Sequence, residues 1–169
     1  MADRRYTTRF GAGKVTVSDV LHYVPGNPEA TIVGDLVTGR GIPSDTFDCM
    51  IVTNTFPLIY EVGAAVRTCL RALRGGGVLL AHFPALGSRV PPDESWEGDY
   101  WRFTSQSVRR LCVDAGFPLR SLSVVTYGNV YVAAAMLYGL AAEELDPKEL
   151  GYVDPDYETV ICVRAVRPT

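Results

Sequence analysis

Several apolar runs in this sequence end beside side chains able to hold a polar ligand. Asp19 follows Lys14–Ser18, Asp35 and Leu36 follow Ala30–Gly34, and Thr53 and Asn54 close the run that starts at Phe47. An acid where a strand ends can accept hydrogen bonds from ribose hydroxyls or an adenine amino group. Asp also starts turns in its own right. One such acid favours the turn; two on consecutive runs balance the two readings. Asn in a loop is ordinarily turn chemistry, so Asn54 draws its interest from its neighbours. His22 and His82 stand alone, and a lone histidine is more often structural, although His82 falls near the end of an apolar run.

A second concentration of chemistry follows. Residues 84–99 have no periodicity and are rich in Pro, Gly and acids, including Asp93, Glu94, Trp96 and Glu97. Asp99-Tyr100-Trp101-Arg102-Phe103-Thr104 comes next. A loop this long inside a compact domain is usually functional. Its acids and aromatics suit a polar, sugar-like or aromatic acceptor. Alternatively, Trp101 and Phe103 anchor the loop while Arg102 pairs with an acid. The segment Phe10-Gly11-Ala12-Gly13-Lys14 lacks phosphate-loop spacing and precedes a strand rather than following one, so it reads as a turn.

The elements that must position these groups alternate between strand and helix. Strands are predicted over 14–20 and 30–36, separated by the helix-breaking Val24-Pro25-Gly26-Asn27-Pro28. The near-continuous apolar run Phe47–Thr53 predicts a strand covered on both faces. Val62, Val66, Cys69, Leu70 and Leu73 recur at helical spacing over 59–73, and Gly75-Gly76-Gly77 stops that helix before a strand at 78–83. Thr104 caps a helix closed by Gly116. A strand over 119–127, a helix over 129–145 and a strand over 159–166 finish the chain as an antiparallel edge hairpin. Strand, helix, glycine turn, strand makes one parallel crossover, with polar groups at the carboxyl ends where such sheets bind ligands.

Composition bounds the rest. With 169 residues, 47% hydrophobic and 21% charged, the chain makes a single domain over 1–169 with a full core. A net charge of −3 gives no basic field for nucleic acid. Cys49, Cys69, Cys112 and Cys162 lie far apart inside apolar patterns, which argues against metal sites and disulfides and for buried thiols in a reducing cytoplasm. The amino terminus has no apolar signal region, and the longest apolar stretch, 130–142, is too short to span a bilayer.

The order of these segments resembles the class I S-adenosylmethionine (SAM) dependent methyltransferases from their second strand onward. The resemblance rests on Asp19, Gly34-Asp35-Leu36, the strand from Phe47 to Asn54 and the turn from Leu73 to Gly77. Asp99 to Thr104 is similar to methyltransferases found beside glycosyltransferases. A Rossmann-like, mostly parallel sheet is thereby implied, with SAM as cofactor and a sugar or natural-product intermediate as acceptor. Asp19 would hold the ribose, and Asp35 with Leu36 the adenine. Thr53 and Asn54 would line the methyl-donor pocket, Trp96 and Arg102 would meet the acceptor, and His82, Asp99 and Tyr100 are the candidate bases or orienting groups.

Two departures stand out. Pro57 and Leu58 occupy the place of a Glu-His pair common in the family. The first strand and its acid-Gly-x-Gly loop are absent, so the chain is expected to begin just past them. That strand lies between the second and fourth in the family, and its loss leaves two unpaired edges. The edges close on each other, or a second copy or a partner chain supplies the missing strand. The alternative reading keeps the fold without SAM, as a cyclase, isomerase or lyase, as a non-catalytic subunit, or as a truncated product.

Overall fold

The computed structural model describes residues 14–91 and 98–169. Its centre is a four-stranded sheet in the order β3–β4–β6–β5, made of β3 (Phe47–Thr53), β4 (Leu73–Pro84), β5 (Leu122–Tyr127) and β6 (Val160–Val166). β3 and β4 are parallel; β6 is antiparallel to both β4 and β5. Three of the four strands therefore share one direction, and the hairpin expected at the edge is formed with β6 on its inner side. Helix α1 (Val62–Ala72) is the crossover between β3 and β4.

The core lies between one face of this sheet and the helices α1 and α2 (Ser105–Ala115). Alternate residues of β4, Leu79, Ala81 and Phe83, are buried there against Val66 and Cys69 of α1 and Val108 and Cys112 of α2. Phe83 stacks on Phe56 at 4.8 Å between ring centroids and meets Phe103 edge-on at 5.0 Å. α2 forms where its signals predict: the Thr104 hydroxyl accepts from the Ser107 amide at 3.2 Å, and Gly116 closes the helix at φ 111°.

The opposite face departs from expectation. The strand β3 is not covered on both sides among the described residues: Val52 is buried and Met50 packs on the core, whereas Asp48 and Cys49 are exposed. The cross-strand rows on this face, Ile51–Leu80–Arg164 and Thr53–His82–Cys162, contribute nothing to the core cluster. Of the four thiols expected to be buried, Cys69 and Cys112 are, Cys162 is half-buried and Cys49 is exposed.

The largest correction concerns the amino-terminal strands. Residues 14–20 form no strand, and β1 is only Leu21–His22, paired in parallel with β2 (Ile32–Val33). This pair is a separate two-stranded sheet, so β1 does not close onto β3, which among the described residues has one ladder partner, β4. β-branched residues make a strand only beside a neighbour, and among the described residues 14–20 form no ladder, only Val20 accepting backbone hydrogen bonds from Thr31 and Ile32. The turn after β2 is tied to the main body by Arg71 of α1, which donates to the Gly39 and Ile42 carbonyls at 3.0 Å each and to the Ser44 hydroxyl. Leu36 packs on the core from that turn.

The glycine run was expected to stop the first helix. The helix ends earlier, at Ala72, and Gly75 to Gly77 lie inside β4, where Gly76 takes φ 78°. The helix expected over 129–145 is shorter as well. α3 (Val130–Tyr138) stops at left-handed Gly139, and a second short helix, α4 (Pro147–Gly151), follows.

Candidate functional site

The carboxyl ends of β3 and β4 gather most of the candidate groups. Thr53 and His82 are register partners on the face away from α1 and α2. Asn54 follows with φ 53°, a left-handed backbone that Asn tolerates better than other non-glycine residues. Chain in that conformation at a strand end is a recurrent feature of ligand sites. It turns β3 abruptly into the 3-10 turn Phe56–Leu58, which stands where the family's Glu-His pair would. His82 is half-buried, and burial pushes its pKa below the ordinary histidine value, so the ring is held neutral near pH 7.

Residues 99–103, which follow β4, are fastened to the chain that leaves β3 and to the end of β4. Its Tyr100 amide donates to the Pro57 carbonyl at 2.8 Å, and the Phe103 amide to the Pro84 carbonyl at 3.0 Å. The indole Nε1 of Trp101 donates to the carbonyls of Ile59 at 3.1 Å and Tyr60 at 3.2 Å. Tyr60, Tyr100 and Trp101 form an aromatic group with centroids 5.4 and 5.6 Å from Tyr60. Trp101 and Phe103 therefore serve as anchors, while the Tyr100 ring keeps a large exposed surface.

Asp99 and Arg102 hold each other. Arg102 Nη1 donates to Asp99 Oδ1 at 2.7 Å and Nη2 to Oδ2 at 2.8 Å, while the Val90 amide also donates to Oδ2 at 2.8 Å. The remaining Arg102 donors reach the carbonyls of Ser88 at 2.6 Å, Trp101 at 2.8 Å and, from Nε, Gly87 at 3.4 Å. The hydrogen bonds from Arg102 hold the Asp99 carboxyl below the usual carboxylate range. A carboxylate so satisfied is a poor proton acceptor, and its geometry is that of a clasp closing the loop. Arg102 likewise spends its donors on the chain itself.

The two acids assigned to adenosine are not neighbours on one rim. Asp19 precedes β1 instead of closing a strand, whereas Asp35 follows β2, and the two strands are parallel. They stand at opposite ends of the ladder. Asp19 accepts from the Thr31 hydroxyl at 3.0 Å. Asp35 accepts from the Val37 amide and the Thr38 hydroxyl, each at 2.7 Å. Burial raises the Asp35 pKa, but these hydrogen bonds outweigh it and leave the carboxyl below its ordinary value. Trp96, with Asp93, Glu94 and Glu97, lies outside the described residues.

Sequence reading missed the role of Tyr60, whose ring joins Tyr100 to Trp101. Its place just ahead of the predicted helix carries no local signal of that contact.

No family model matches the sequence, and no curated protein matches it. Solved structures do. A chain from the complex of the Haloferax volcanii Trm112 methyltransferase activator superposes with a TM-score of 0.51 and 15% identity, over 82% of this chain and 60% of that one. Haemonchus contortus phosphoethanolamine N-methyltransferase 2, in complex with S-adenosyl-L-methionine, gives 0.50 and 12%, over 76% of this chain and 35% of that one. A SAM-dependent methyltransferase from Archaeoglobus fulgidus gives 0.50 and 8%, over 85% and 70%. This chain thus spans 60% of the first of these and about a third of the second. The chain carries the Rossmann-like fold of the class I SAM-dependent methyltransferases.

Proposed function

We propose that the protein takes part in SAM-dependent methyl transfer to a small-molecule acceptor, a sugar or natural-product intermediate, at the carboxyl rim of β3 and β4. The observation that carries this reading is the rim itself: Thr53 and His82 are register partners, left-handed Asn54 follows directly, and the Asp99–Arg102 pair lies in the segment that leaves β4. Thr53 and Asn54 fit the donor side, and Asp35 with Leu36 fits the adenine side. Asp19, at the other end of its ladder, does not join them.

SAM, when bound, supplies a methyl group already activated on a sulfonium, so in-line positioning does most of the work. The turn at Asn54 orients groups at the strand end. The aromatic group of Tyr60, Tyr100 and Trp101 offers exposed ring faces that an acceptor can stack on. The neutral imidazole of His82 has a lone pair with which to take a proton from an acceptor hydroxyl. Asp99 acts through Arg102 as a positioning residue of the loop.

Calorimetry of the purified chain with SAM and S-adenosylhomocysteine tests the proposal. Micromolar binding, weakened about tenfold by Asn54→Gly, which keeps the left-handed turn, is the expected outcome. No heat from a folded protein overturns it.

A second reading is favoured by one observation, the edge of β3 that faces away from β4 and carries no ladder partner among the described residues. Such an edge accepts a strand from a second copy or a partner chain. The protein would then be a subunit completed by association, or a fold turned to cyclase, isomerase or lyase chemistry. Sedimentation velocity tests self-completion: a dimer at tens of micromolar supports it and a monomer rules it out.

A further inference from the structure

β5 and β6 pair to their last residues, Tyr127 opposite Val160. Antiparallel neighbours of this kind are ordinarily joined by two to five residues. Here residues 128–159 intervene and build a structure of their own. Asn129, buried at its base, accepts from the Val132 amide at 2.9 Å and so caps α3. Its Nδ2 donates to the carbonyls of Glu149 at 2.8 Å and Tyr152 at 2.9 Å, which ties α3 to α4. The Glu158 carboxylate accepts from the Ser105 amide at 2.7 Å, and the Asp154 amide donates to the Gly128 carbonyl at 2.9 Å. The excursion is fastened at both ends.

What it presents is unusual for a helix in water. No charged residue occurs from Thr126 to Ala142. α3 is apolar throughout, yet only Ala135 of its residues is buried, while Leu137 is 62% and Tyr138 86% exposed. A helix without a polar face is stable in water only when something covers it.

The charge around it restricts what that is. Between Glu143 and Glu158 there are seven acids and one base, Lys148. Two copies placed face to face would set acid against acid, and an anionic lipid surface would be repelled in the same way. A protein groove with an apolar floor and a lysine- or arginine-rich rim meets both features at once.

We propose that α3 is a docking arm that lays its apolar surface into a basic-rimmed groove of another protein. The arm is built independently of the site proposed for methyl transfer, and its use does not require that site to bind SAM. The apolar surface supplies the affinity and the acidic rim the orientation and on-rate.

The test uses two synthetic amphipathic helical peptides of identical pattern, one of leucine and lysine and one of leucine and glutamate, titrated into the full chain. The lysine peptide should bind at low micromolar Kd and the glutamate peptide at least tenfold more weakly. Leu137→Asp with Tyr138→Asp should weaken the lysine peptide at least tenfold at an unchanged circular dichroism spectrum. Tyr138→Asp alone serves if the double variant does not fold. Equal binding of both peptides, no binding of the lysine peptide, or binding indifferent to these substitutions overturns the proposal. So does co-sedimentation with phosphatidylcholine vesicles or dimerisation in sedimentation velocity, if either is abolished by Tyr138→Asp, since a membrane or a second copy would then be the occupant.

Discussion

The clasp between Asp99 and Arg102 can be measured directly. The Asp99 side chain is 1% exposed and that of Arg102 29% exposed, with two hydrogen bonds between them at 2.7 and 2.8 Å. Removing one partner of a fully buried pair costs about 3–5 kcal/mol, and an exposed pair contributes about 0–1 kcal/mol. Arg102 keeps nearly a third of its side chain in water, which places Arg102→Ala at about 2–3 kcal/mol at neutral pH. In a domain of this size that lowers Tm by about 5–10 °C. A double-mutant cycle with Asp99→Asn, read by urea and thermal denaturation, should give a coupling of about 1–3 kcal/mol. The pH dependence has a definite sign. The folded Asp99 carboxyl titrates below its unfolded value of roughly 4, so the clasp stabilises fully above that value. Its contribution is lost as pH falls through the lower, folded value, and the gap between wild type and Arg102→Ala narrows there. A coupling below about 0.5 kcal/mol at pH 7, or a gap unchanged down to pH 2, would refute the clasp.

Three further outcomes are expected. Phe83→Ala, which empties a fully buried site stacked on Phe56, should cost about 3–5 kcal/mol in urea melts, several times more than Tyr100→Ala in the exposed segment after β4. Asn54→Gly should leave stability within about 0.5 kcal/mol of wild type, whereas Asn54→Val, β-branched at φ 53°, should lose about 1–2 kcal/mol by the same assay. At pH 8 maleimide should label Cys49 first, while Cys69 and Cys112, whose thiols burial pushes up to about 12, should react only in denaturant; mass spectrometry of the labelled peptides reads the order.

Local pattern was enough for the elements whose signals are self-contained. α2 formed between Thr104 and Gly116 because a capping hydroxyl and a left-handed glycine act within one turn of the chain. The β3–α1–β4 crossover likewise followed from apolar periodicity alone. The residues favoured anchoring for Trp101 and Phe103, left Tyr100 and Arg102 open, and the contacts of Trp101 with Ile59 and Tyr60 and of Phe103 with Phe83 are those of anchors.

Tertiary structure decided what depends on neighbours distant in sequence. Residues 14–20 have strand composition but no ladder partner among the described residues, so Asp19 leads into β1 instead of ending a strand. Whether Asp99 was a base or a clasp depended on a guanidinium folding back onto it, and on the Val90 amide arriving from across the loop. A strand's residues alternate between faces by covalent geometry, which sequence displays. Which face is covered, and which edge is paired, is set by packing between segments tens of residues apart, and no local pattern encodes that.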